Sequence, residues 1–331
     1  MTQQARPGEI AVFFTGGTIG MSEDAARGGV VPGDNFQNIL DQLRHTHPGL
    51  RLRPVNWSDK PSGHMTPEDM LRLSQDVDAA LARPETLGAV VLHGTDVIVE
   101  SAFLLDITLA SPKPVVFTGS MRYYRETGYD GLRNLLGSLL AVLKPLPADM
   151  GVVLCMTDRL FAARDVVKVN SMNVDAFESY EAGIVGFIAG NDVVLTHPSG
   201  FARRTPLRVP RIEPNVPLLA CHTGMDGGLL DHALASGARA VVLEGFGAGN
   251  VPPGLLPALE RALAAGMVVV VCTRCAQGGV WPVYAYPGGA ADLRSRGALL
   301  GGRLESSKVR LLLMAALGAG MGREEIASLL S

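Results

Sequence analysis

The sequence predicts an α/β protein of two α/β domains, on the basis of its length, composition and strand pattern. At 331 residues, the chain is longer than one ordinary domain and long enough to form two cores. Hydrophobic residues make up 47% of it, it contains 39 glycines, and short Val-rich runs recur along it. Such runs are typical of parallel strands buried on both faces, and they favour this class over a helical bundle or a disordered chain.

In the first half, four Val-rich runs end in Gly or small polar residues, and each is followed by a helix-like pattern: IAVFFTGG, AVVLHGTD, PVVFTGS and GVVLCMTD. This alternation predicts a parallel sheet with helical crossovers. Thr66, Pro67 and Glu68 supply an N-cap, a proline at the first helical position and an acidic first turn, which predicts a helix through about Ala82.

A second series of strand-like runs begins after Pro214: PLLACHTG, AVVLEGFGAGN and MVVVVCTRC. The helices predicted here lie near residues 229–235, 255–265, 308–317 and 323–330, the last two with an amphipathic pattern. A stretch rich in Pro, Arg and Thr separates the two series and predicts a linker. The expected domains are therefore residues 1–195 and 214–331, joined by a linker at 196–213.

The charge pattern points to a small-molecule partner. The formal net charge is −3 and Lys and Arg are scattered, so no footprint for nucleic acid or for a membrane surface is expected. The N-terminus shows no secretion signal, and the longest apolar runs are only strand-length. Four cysteines are too few for a disulfide framework in this length, so the expected compartment is the cytoplasm.

The first strand ends in a glycine turn that carries a hydroxyl. Gly16 and Gly17 allow close backbone approach, and the turn's amide groups can stabilise an anion beside Thr18. Two alternatives stay open for this motif alone: a capping threonine, or a loop that holds phosphate. Neither a P-loop lysine nor a GxGxxG pattern supports the second alternative.

Later strand ends add a second hydroxyl, a carboxylate and a lysine: Thr95, Asp96 and Lys168. In parallel sheets such strand ends meet at one edge. A nucleophilic hydroxyl needs a base, which a lysine amine can supply where burial favours its neutral form. Taken singly, the lysine could be a solvated helix-face charge and the aspartate an N-cap, but their joint occurrence favours catalysis.

Two other groups of residues offer rival sites. Cys272 and Cys275 form a CxxC pair that could act in redox chemistry, or bind zinc with Cys221 and His222. Without a second CxxC, buried and inert thiols are the expectation, and no metal is expected. His93 ends a strand, where a hydrogen-bonded structural histidine is at least as plausible as a general base.

The motifs TGGTIG, HGTD, GSM before an Asp130–Gly131 helix start, and ARDVVKVN occur in this order. Together they resemble the bacterial-type L-asparaginases from about Ile10 to Leu317, and the cytoplasmic (type I) branch is the closer match. The resemblance implies the asparaginase/glutaminase fold, with a larger N-terminal parallel-sheet domain and a smaller C-terminal flavodoxin-like domain. It also implies a homodimer or homotetramer.

The resemblance further implies hydrolysis of L-asparagine to L-aspartate and ammonia through an acyl-enzyme, with no metal or organic cofactor. The catalytic set that it implies is Thr18 as nucleophile with Thr95, Asp96 and Lys168. Ser62 is similar to the serine that holds the substrate's α-carboxylate. The substrate-binding set expected on this basis is Ser62, Gly63, Gly17 and Gly94.

Two departures from the family pattern affect these expectations. Val30 stands where the family places a lid tyrosine, and the replacements that the sequence offers are Tyr123, Tyr124, Tyr284 and Tyr286. Gly63 and His64 follow Ser62 where other polar and acidic residues are common, so substrate choice is open. The alternatives are a glutaminase or another small-amide hydrolase, and, with less support, a non-catalytic amino-acid-binding regulator.

Overall fold

The computed structural model describes residues 8–33, 35–144, 146–147, 150–196 and 205–330. The chain divides into two compact units, residues 1–206 and 207–331. Residues 197–204 of the predicted linker lie outside the described residues, so the domain limits 195 and 214 stay a prediction. No helix among the described residues has the length and apolarity that a membrane span requires.

The first unit is built on an eight-stranded sheet and two separate two-stranded sheets. Its strands are β1 Glu9–Phe14, β2 Ser22–Asp24, β3 Gly29–Val31, β4 Leu52–Asn56, β5 Thr86–Leu92, β6 Val115–Thr118, β7 Val152–Met156, β8 Arg159–Ala162, β9 Val167–Lys168, β10 Phe177–Glu178, β11 Gly186–Ala189 and β12 Asp192–Leu195. The order of the large sheet is β12-β11-β8-β7-β6-β5-β1-β4, and the small sheets are the pairs β2–β3 and β9–β10. Strands β4, β1, β5, β6 and β7 run parallel, as the Val-rich pattern predicts. Strands β5 to β7 are buried almost throughout.

One of the predicted crossovers is wrong. The run GVVLCMTD is followed by an antiparallel strand, β8, and not by a helix. Thr157 and Asp158 both have positive φ, 47° and 62°, and they close a two-residue hairpin between Met156 and Arg159. Paired positive φ values match the right-handed twist of adjoining strands, which is the conformation that tight hairpins favour. The sheet therefore continues antiparallel through β8, β11 and β12.

Helices cover both faces of this sheet: α1 Phe36–Thr46, α2 Pro67–Leu81, α3 Ile98–Thr108 and α4 Gly131–Leu143. On one face, Val12 and Val90 belong to the same core as Ile39 of α1 and Leu135 of α4. The other face forms a second core with α2 and α3. Because alternate strand residues enter the two cores, the sheet is sealed on both sides and its polar groups collect at the strand ends.

The second unit is a smaller parallel sheet of order β13-β14-β15-β16, with strands β13 Leu218–Ala220, β14 Ala240–Gly245, β15 Val268–Thr273 and β16 Leu299–Leu300. Its helices are α5 Gly228–Ala235, α6 Leu256–Ala264, α7 Ala290–Arg296, α8 Ser306–Gly318 and α9 Arg323–Leu330. The α/β prediction for this unit is confirmed. The amphipathic pattern predicted over 308–317 is wrong, because α8 is buried on nearly every face, including Lys308.

Helix α2 begins with the predicted cap. The Thr66 hydroxyl accepts a hydrogen bond from the Asp69 amide at 3.2 Å, and the Asp69 carboxylate accepts one from the Thr66 amide at 3.2 Å. This reciprocal pair satisfies two amide groups that the first helical turn leaves without intrahelical partners. The Asp69 carboxylate also binds Lys60, at 2.7 Å, so the cap fixes the chain that precedes the helix.

We expect Thr66→Ala to lower the free energy of unfolding of the first unit by about 1 kcal/mol, because the Asp69 amide loses its acceptor. Urea unfolding followed by circular dichroism measures the change. Thr66→Ser keeps the oxygen and should stay within a few tenths of a kcal/mol of the wild type. Equal stability of the alanine and serine variants would contradict the role of the hydroxyl.

Candidate active site

The glycine turn after β1 and the loop after β5 touch through their backbones. Gly17 has φ 92°, and a Cβ built on it would lie 2.4 Å from the Gly94 Cα and 2.5 Å from the Gly94 nitrogen. A Cβ on Gly94 would in turn lie 2.6 Å from the Ser62 Oγ. Real side chains do not fit at these distances, so the approach of the three segments depends on glycine at both positions.

Ser62 joins this contact from a short 3-10 turn, Ser62–His64, just before helix α2. Its side chain is buried, and its Oγ accepts a hydrogen bond from the Asp96 amide at 3.2 Å. Since that bond uses the oxygen as an acceptor, the hydroxyl proton can still be donated to an anionic ligand. Gly63 and His64 are exposed, and nothing lies within 4 Å of a Cβ built on Gly63.

Thr95, Asp96 and Lys168 meet as the sequence predicts. The Lys168 Nζ donates a hydrogen bond to the Thr95 Oγ1 at 3.0 Å and lies 3.5 Å from the Asp96 Oδ1. Lys168 is held by β9, which pairs with β10, and is therefore not a helix-face charge. The Thr95 side chain is buried, the Lys168 side chain is 17% exposed and the Asp96 side chain is 71% exposed.

Thr18 follows Gly17 directly and opens a 3-10 turn, Thr18–Gly20. The Met21 amide donates to the Thr18 carbonyl at 3.1 Å, and the Tyr129 hydroxyl donates to the Ile19 carbonyl at 2.8 Å. Burial raises the pKa of Tyr129, which keeps this hydroxyl protonated as a donor. No sequence pattern indicated a role for Tyr129, although it immediately precedes the Asp130–Gly131 pair that marks the start of α4.

The segment after Thr18 forms a small hairpin of β2 and β3, in which Val30 lies opposite Glu23. Val30 is 42% exposed and carries no hydroxyl. The Tyr123 hydroxyl donates to the Glu23 Oε2 at 3.3 Å, and the neighbouring Glu23 carboxylate raises the pKa of Tyr123. Of the four tyrosines offered as replacements, Tyr123 is therefore the one whose hydroxyl bonds to this hairpin, while the Tyr124 hydroxyl accepts from Gln42.

His93 supports the Gly94 peptide from inside the core. Its Nδ1 lies 2.8 Å from the Gly94 carbonyl, which can only accept, so this nitrogen carries the proton. Its Nε2 then accepts from the Ser101 hydroxyl at 3.0 Å. Burial lowers the pKa of His93 to about 4, against the smaller opposing effect of the Gly94 carbonyl. His93 is thus a neutral structural side chain beside the site.

The structure does not support a redox or zinc site at the cysteines among the described residues. Cys221 and Cys272 are buried, and burial raises their pKa values to about 11 and 12. Such thiols remain protonated and are poor nucleophiles and ligands. The prediction of buried thiols is wrong for Cys275, which is exposed. Among the described residues, no group of three His, Cys, Asp or Glu side chains is placed to hold a metal ion.

The fold and this cluster define an α/β protein in which hydroxyl, amine and carboxylate groups gather at loops beside a parallel sheet. The asparaginase N-terminal family model matches residues 9–199, and the glutaminase/asparaginase C-terminal domain model matches residues 215–330. The chain therefore belongs to the asparaginase family.

Individual relatives cover nearly the whole chain. A Bacillus licheniformis L-asparaginase is 32% identical over 92% of this chain and 94% of its own. A probable L-asparaginase of Deinococcus radiodurans is 36% identical over 96% of this chain and 95% of its own. The structure of a probable cytoplasmic L-asparaginase from Campylobacter jejuni superposes with a TM-score of 0.84, 27% identity and coverage of 98% and 99%. The structure of the thermostable L-asparaginase from Thermococcus kodakarensis superposes with a TM-score of 0.85 and 27% identity, and the match covers 97% of this chain and 96% of that one.

The buried His93 predicts a pH-dependent loss of stability. Its folded pKa of about 4 lies below the ordinary value of 6.5, so the unfolded chain takes up this proton first as the pH falls. The contribution of neutral His93 to the free energy of unfolding is therefore fully present above pH 6.5. It is lost as the pH falls from 6.5 to 4, and the free energy of unfolding drops by about 3 kcal/mol over this range. His93→Gln should show a correspondingly shallower dependence in unfolding experiments from pH 7 to 4. Parallel curves for both proteins would contradict the neutral buried histidine.

A matched pair of glycine substitutions tests the contact between the two loops. Gly17 and Gly28 both have positive φ, but nothing lies within 4 Å of a Cβ built on Gly28. Gly28→Ala should cost about 1 kcal/mol of stability for its backbone conformation alone. Gly17→Ala should cost about 3 kcal/mol or more, because its methyl group also meets Gly94. Equal losses in thermal or urea unfolding would show that the loops do not touch.

Proposed function

We propose that the protein hydrolyses the side-chain amide of L-asparagine to L-aspartate and ammonia, with Thr18 as nucleophile. The observation that supports this proposal is the contact of Lys168 with Thr95 and Asp96, which lie on the loop whose Gly94 is in backbone contact with Gly17. Because Gly17 directly precedes Thr18, this contact supports a shared site for the two hydroxyls and the amine. The relatives from Bacillus licheniformis and Deinococcus radiodurans are named as an L-asparaginase and a probable L-asparaginase.

In the first half of the proposed reaction, the Thr18 Oγ forms a bond to the amide carbon of the substrate. The C–N bond then breaks, and the nitrogen leaves as ammonia after it takes up the proton lost by the hydroxyl. Amide groups of the glycine turn stabilise the negative charge that develops on the carbonyl oxygen. The product of this half is an ester between Thr18 and the aspartyl group.

In the second half, water forms a bond to the ester carbon and the bond from that carbon to the Thr18 Oγ breaks. L-aspartate is released, and the Thr18 oxygen takes up the proton that the water loses. The Thr95 hydroxyl, hydrogen-bonded to the Lys168 amine at 3.0 Å, is placed to accept a proton from that water and to pass one to the amine. Asp96 balances the charge that forms on Lys168, from 3.5 Å away. Thr95 and Lys168 can also assist the attack of Thr18 in the first half, because both halves are attacks of a hydroxyl or water oxygen on the same acyl carbon.

The substrate's charged groups find partners of opposite character in the same cluster. The Ser62 hydroxyl, which already accepts from the Asp96 amide, keeps its proton for the α-carboxylate. The exposed Asp96 carboxylate is available to the α-ammonium group. Gly17 and Gly94 place no side chain between these groups. Recognition of both α-substituents is what distinguishes an amino-acid amide from a simple amide.

A glutaminase is the second candidate, and one observation favours it. Gly63 and His64, which follow Ser62, are exposed and leave open space beside it, so a substrate longer by one methylene meets no side chain there. One methylene in a pocket changes selectivity by about 10- to 200-fold. A purely binding role has less support, because amino-acid binding requires neither the amine nor the second hydroxyl that Lys168 and Thr95 provide.

We further propose that the protein works in the cytoplasm as a homodimer or homotetramer. The similarity to a structure described as a probable cytoplasmic L-asparaginase supports the compartment. The assembly rests on the family resemblance alone. Light scattering after size-exclusion chromatography measures it directly, and a monomer mass of 34.9 kDa in solution would contradict it.

Ammonia release from L-asparagine, L-glutamine and D-asparagine tests the proposed function, with Thr18→Ala as the blank. Release from L-asparagine that disappears in the variant supports the proposal. Faster release from L-glutamine would favour the second candidate. No release from any of the three amides by the wild type would overturn the proposal.

Thr18→Ala and Thr95→Ala are each expected to lower kcat by on the order of 10³-fold or more, because they remove the nucleophile and the proton carrier. Steady-state ammonia assays measure the change. Thr108→Ala, which removes a hydroxyl bonded to the Leu104 carbonyl within α3, is the control and should keep at least half of the activity. Full activity in either site variant would refute its assignment.

Ser62→Ala is expected to raise KM for L-asparagine about tenfold or more, because a hydrogen bond to a charged group contributes about 1.5–3 kcal/mol. The kcat value should fall much less than it does in the threonine variants. Initial-rate measurements over a wide substrate range separate the two constants. A variant whose kcat falls while KM stays constant would place Ser62 in the chemical step.

A further inference from the structure

A cavity with a volume of about 670 Å³ lies in the first unit between helices α1 and α4. None of the residues proposed for catalysis or substrate binding lines it. Its apolar lining includes Leu43 of α1, Leu132 and Leu136 of α4, and the ring of Tyr124. A volume of this size is typical of small-molecule sites. We refer to it as the α1–α4 cavity.

The charges around the cavity favour an anion. Arg125 and Arg133 line it, together with the Asp41 carboxylate. Asp41 is matched by Arg44 at 3.0 Å, and Arg133 is matched by Asp158 at 2.7 Å. The Arg125 guanidinium lies 5.6 Å from the centroid of the Tyr124 ring, and no carboxylate pairs with it among the described residues. The excess charge at the cavity is therefore the cation of Arg125.

Two histidines, His45 and His47, complete the polar rim on the α1 side. The His47 Nδ1 is hydrogen-bonded to the Thr46 hydroxyl at 2.9 Å. Gln42 donates to the Tyr124 hydroxyl at 2.9 Å, which fixes the aromatic wall. The cavity thus combines an apolar floor, a fixed aromatic wall and one unmatched cation, an arrangement that suits a ligand with an apolar body and an acidic head.

The same segment that lines the cavity also holds the turn that carries Thr18. The Tyr124 amide donates to the Met21 carbonyl at 3.0 Å, and the Tyr129 hydroxyl donates to the Ile19 carbonyl at 2.8 Å. The Tyr124 and Tyr129 rings pack edge to face, with centroids 5.6 Å apart. Arg125 has φ 71°, a conformation that a non-glycine residue keeps only when its surroundings enforce it. A ligand that contacts Tyr124 and Arg125 therefore acts on residues bonded to the turn.

We propose that the α1–α4 cavity is a regulatory site for a small organic acid. The ligand has an apolar or aromatic body and a carboxylate or sulfonate head, and its binding affects the Thr18 turn through Tyr124. The head group pairs with Arg125 and the body lies against the leucines. The effect on turnover rests on the function proposed for Thr18, whereas the binding itself does not. Coupling requires only that the ligand's affinity differ between two states of the turn.

The probes for this site are 8-anilinonaphthalene-1-sulfonate and the uncharged N-phenyl-1-naphthylamine, each titrated by fluorescence. We expect one saturable site per chain for the sulfonate. Arg125→Gln should weaken the sulfonate about fivefold and leave the uncharged probe within twofold, whereas Arg51→Gln, an exposed arginine outside the lining, should change neither. Equal affinity of the sulfonate for the wild type and Arg125→Gln would overturn the proposal.

Two further variants test the cavity itself. Leu136→Glu places a carboxylate on the apolar floor and should abolish sulfonate binding, with thermal unfolding as the check on folding. Gln42 is exposed on α1, and Gln42→Glu keeps the length of its side chain, so this variant tests the same repulsion if the first variant does not fold. Wild-type affinity in a folded Leu136→Glu or in Gln42→Glu would assign the probe to another surface and overturn the proposal.

Hydrogen exchange provides the readout of coupling independently of activity. Saturation with the sulfonate should slow amide exchange at residues 18–25 and 122–125 in the wild type. At a concentration equal to the wild-type Kd, the slowing should be about threefold smaller in Arg125→Gln, because a fivefold weaker site is occupied less. Unchanged exchange in the saturated wild type would overturn the regulatory role. Absence of ammonia release would count against the proposed function alone, because the titrations and the exchange remain measurable.

Discussion

The candidate site depends on one backbone contact, the approach of Gly17 to Gly94. A Cβ on Gly17 would lie 2.4 Å from the Gly94 Cα, closer than any side chain allows. Strands β1 and β5 are neighbours in the sheet, and the contact continues their close approach into the loops that follow them. Ser62 closes the group from a third segment, since a Cβ on Gly94 would meet its Oγ at 2.6 Å. Any residue larger than glycine would separate Thr18 from Thr95.

Around this contact, the polar groups are ordered by burial. His93 is buried and neutral, and its two ring nitrogens hold the Gly94 carbonyl and the Ser101 hydroxyl. Thr95 is buried beside it, Lys168 is partly buried, and Asp96 is exposed. Burial thus decreases from the apolar interior at His93 to the solvent-exposed carboxylate of Asp96. The proposed catalysis needs this arrangement, because it requires a hydroxyl and an amine in fixed positions and an accessible anion for the substrate.

The sequence was sufficient for the parallel strands, for helix α2 and its cap, and for the meeting of Thr95, Asp96 and Lys168. The strands, helix α2 and the position of Thr95 and Asp96 depend on local patterns, or on the rule that parallel strands end at one edge. Lys168 reaches them from the separate β9–β10 pair, which that rule does not cover. It failed at Thr157 and Asp158, where two non-glycine residues adopt positive φ and turn the chain into a hairpin. It also missed Tyr129 and the pairing of Tyr123 with Glu23, because residues about 100 positions apart in the chain leave no periodic signal when they bond.

The measurement that bears most directly on the central claim is peptide mapping after rapid acid quench of the enzyme during turnover of L-asparagine. On the proposed mechanism, an aspartyl ester forms on Thr18, whose neighbour Gly17 contacts Gly94, the residue before Thr95. We therefore predict that the added mass maps to the peptide that contains Thr18 and that the peptide containing Thr95 is unmodified. An ester on Thr95, with Thr18 unmodified, would contradict the account and exchange the roles of the two threonines.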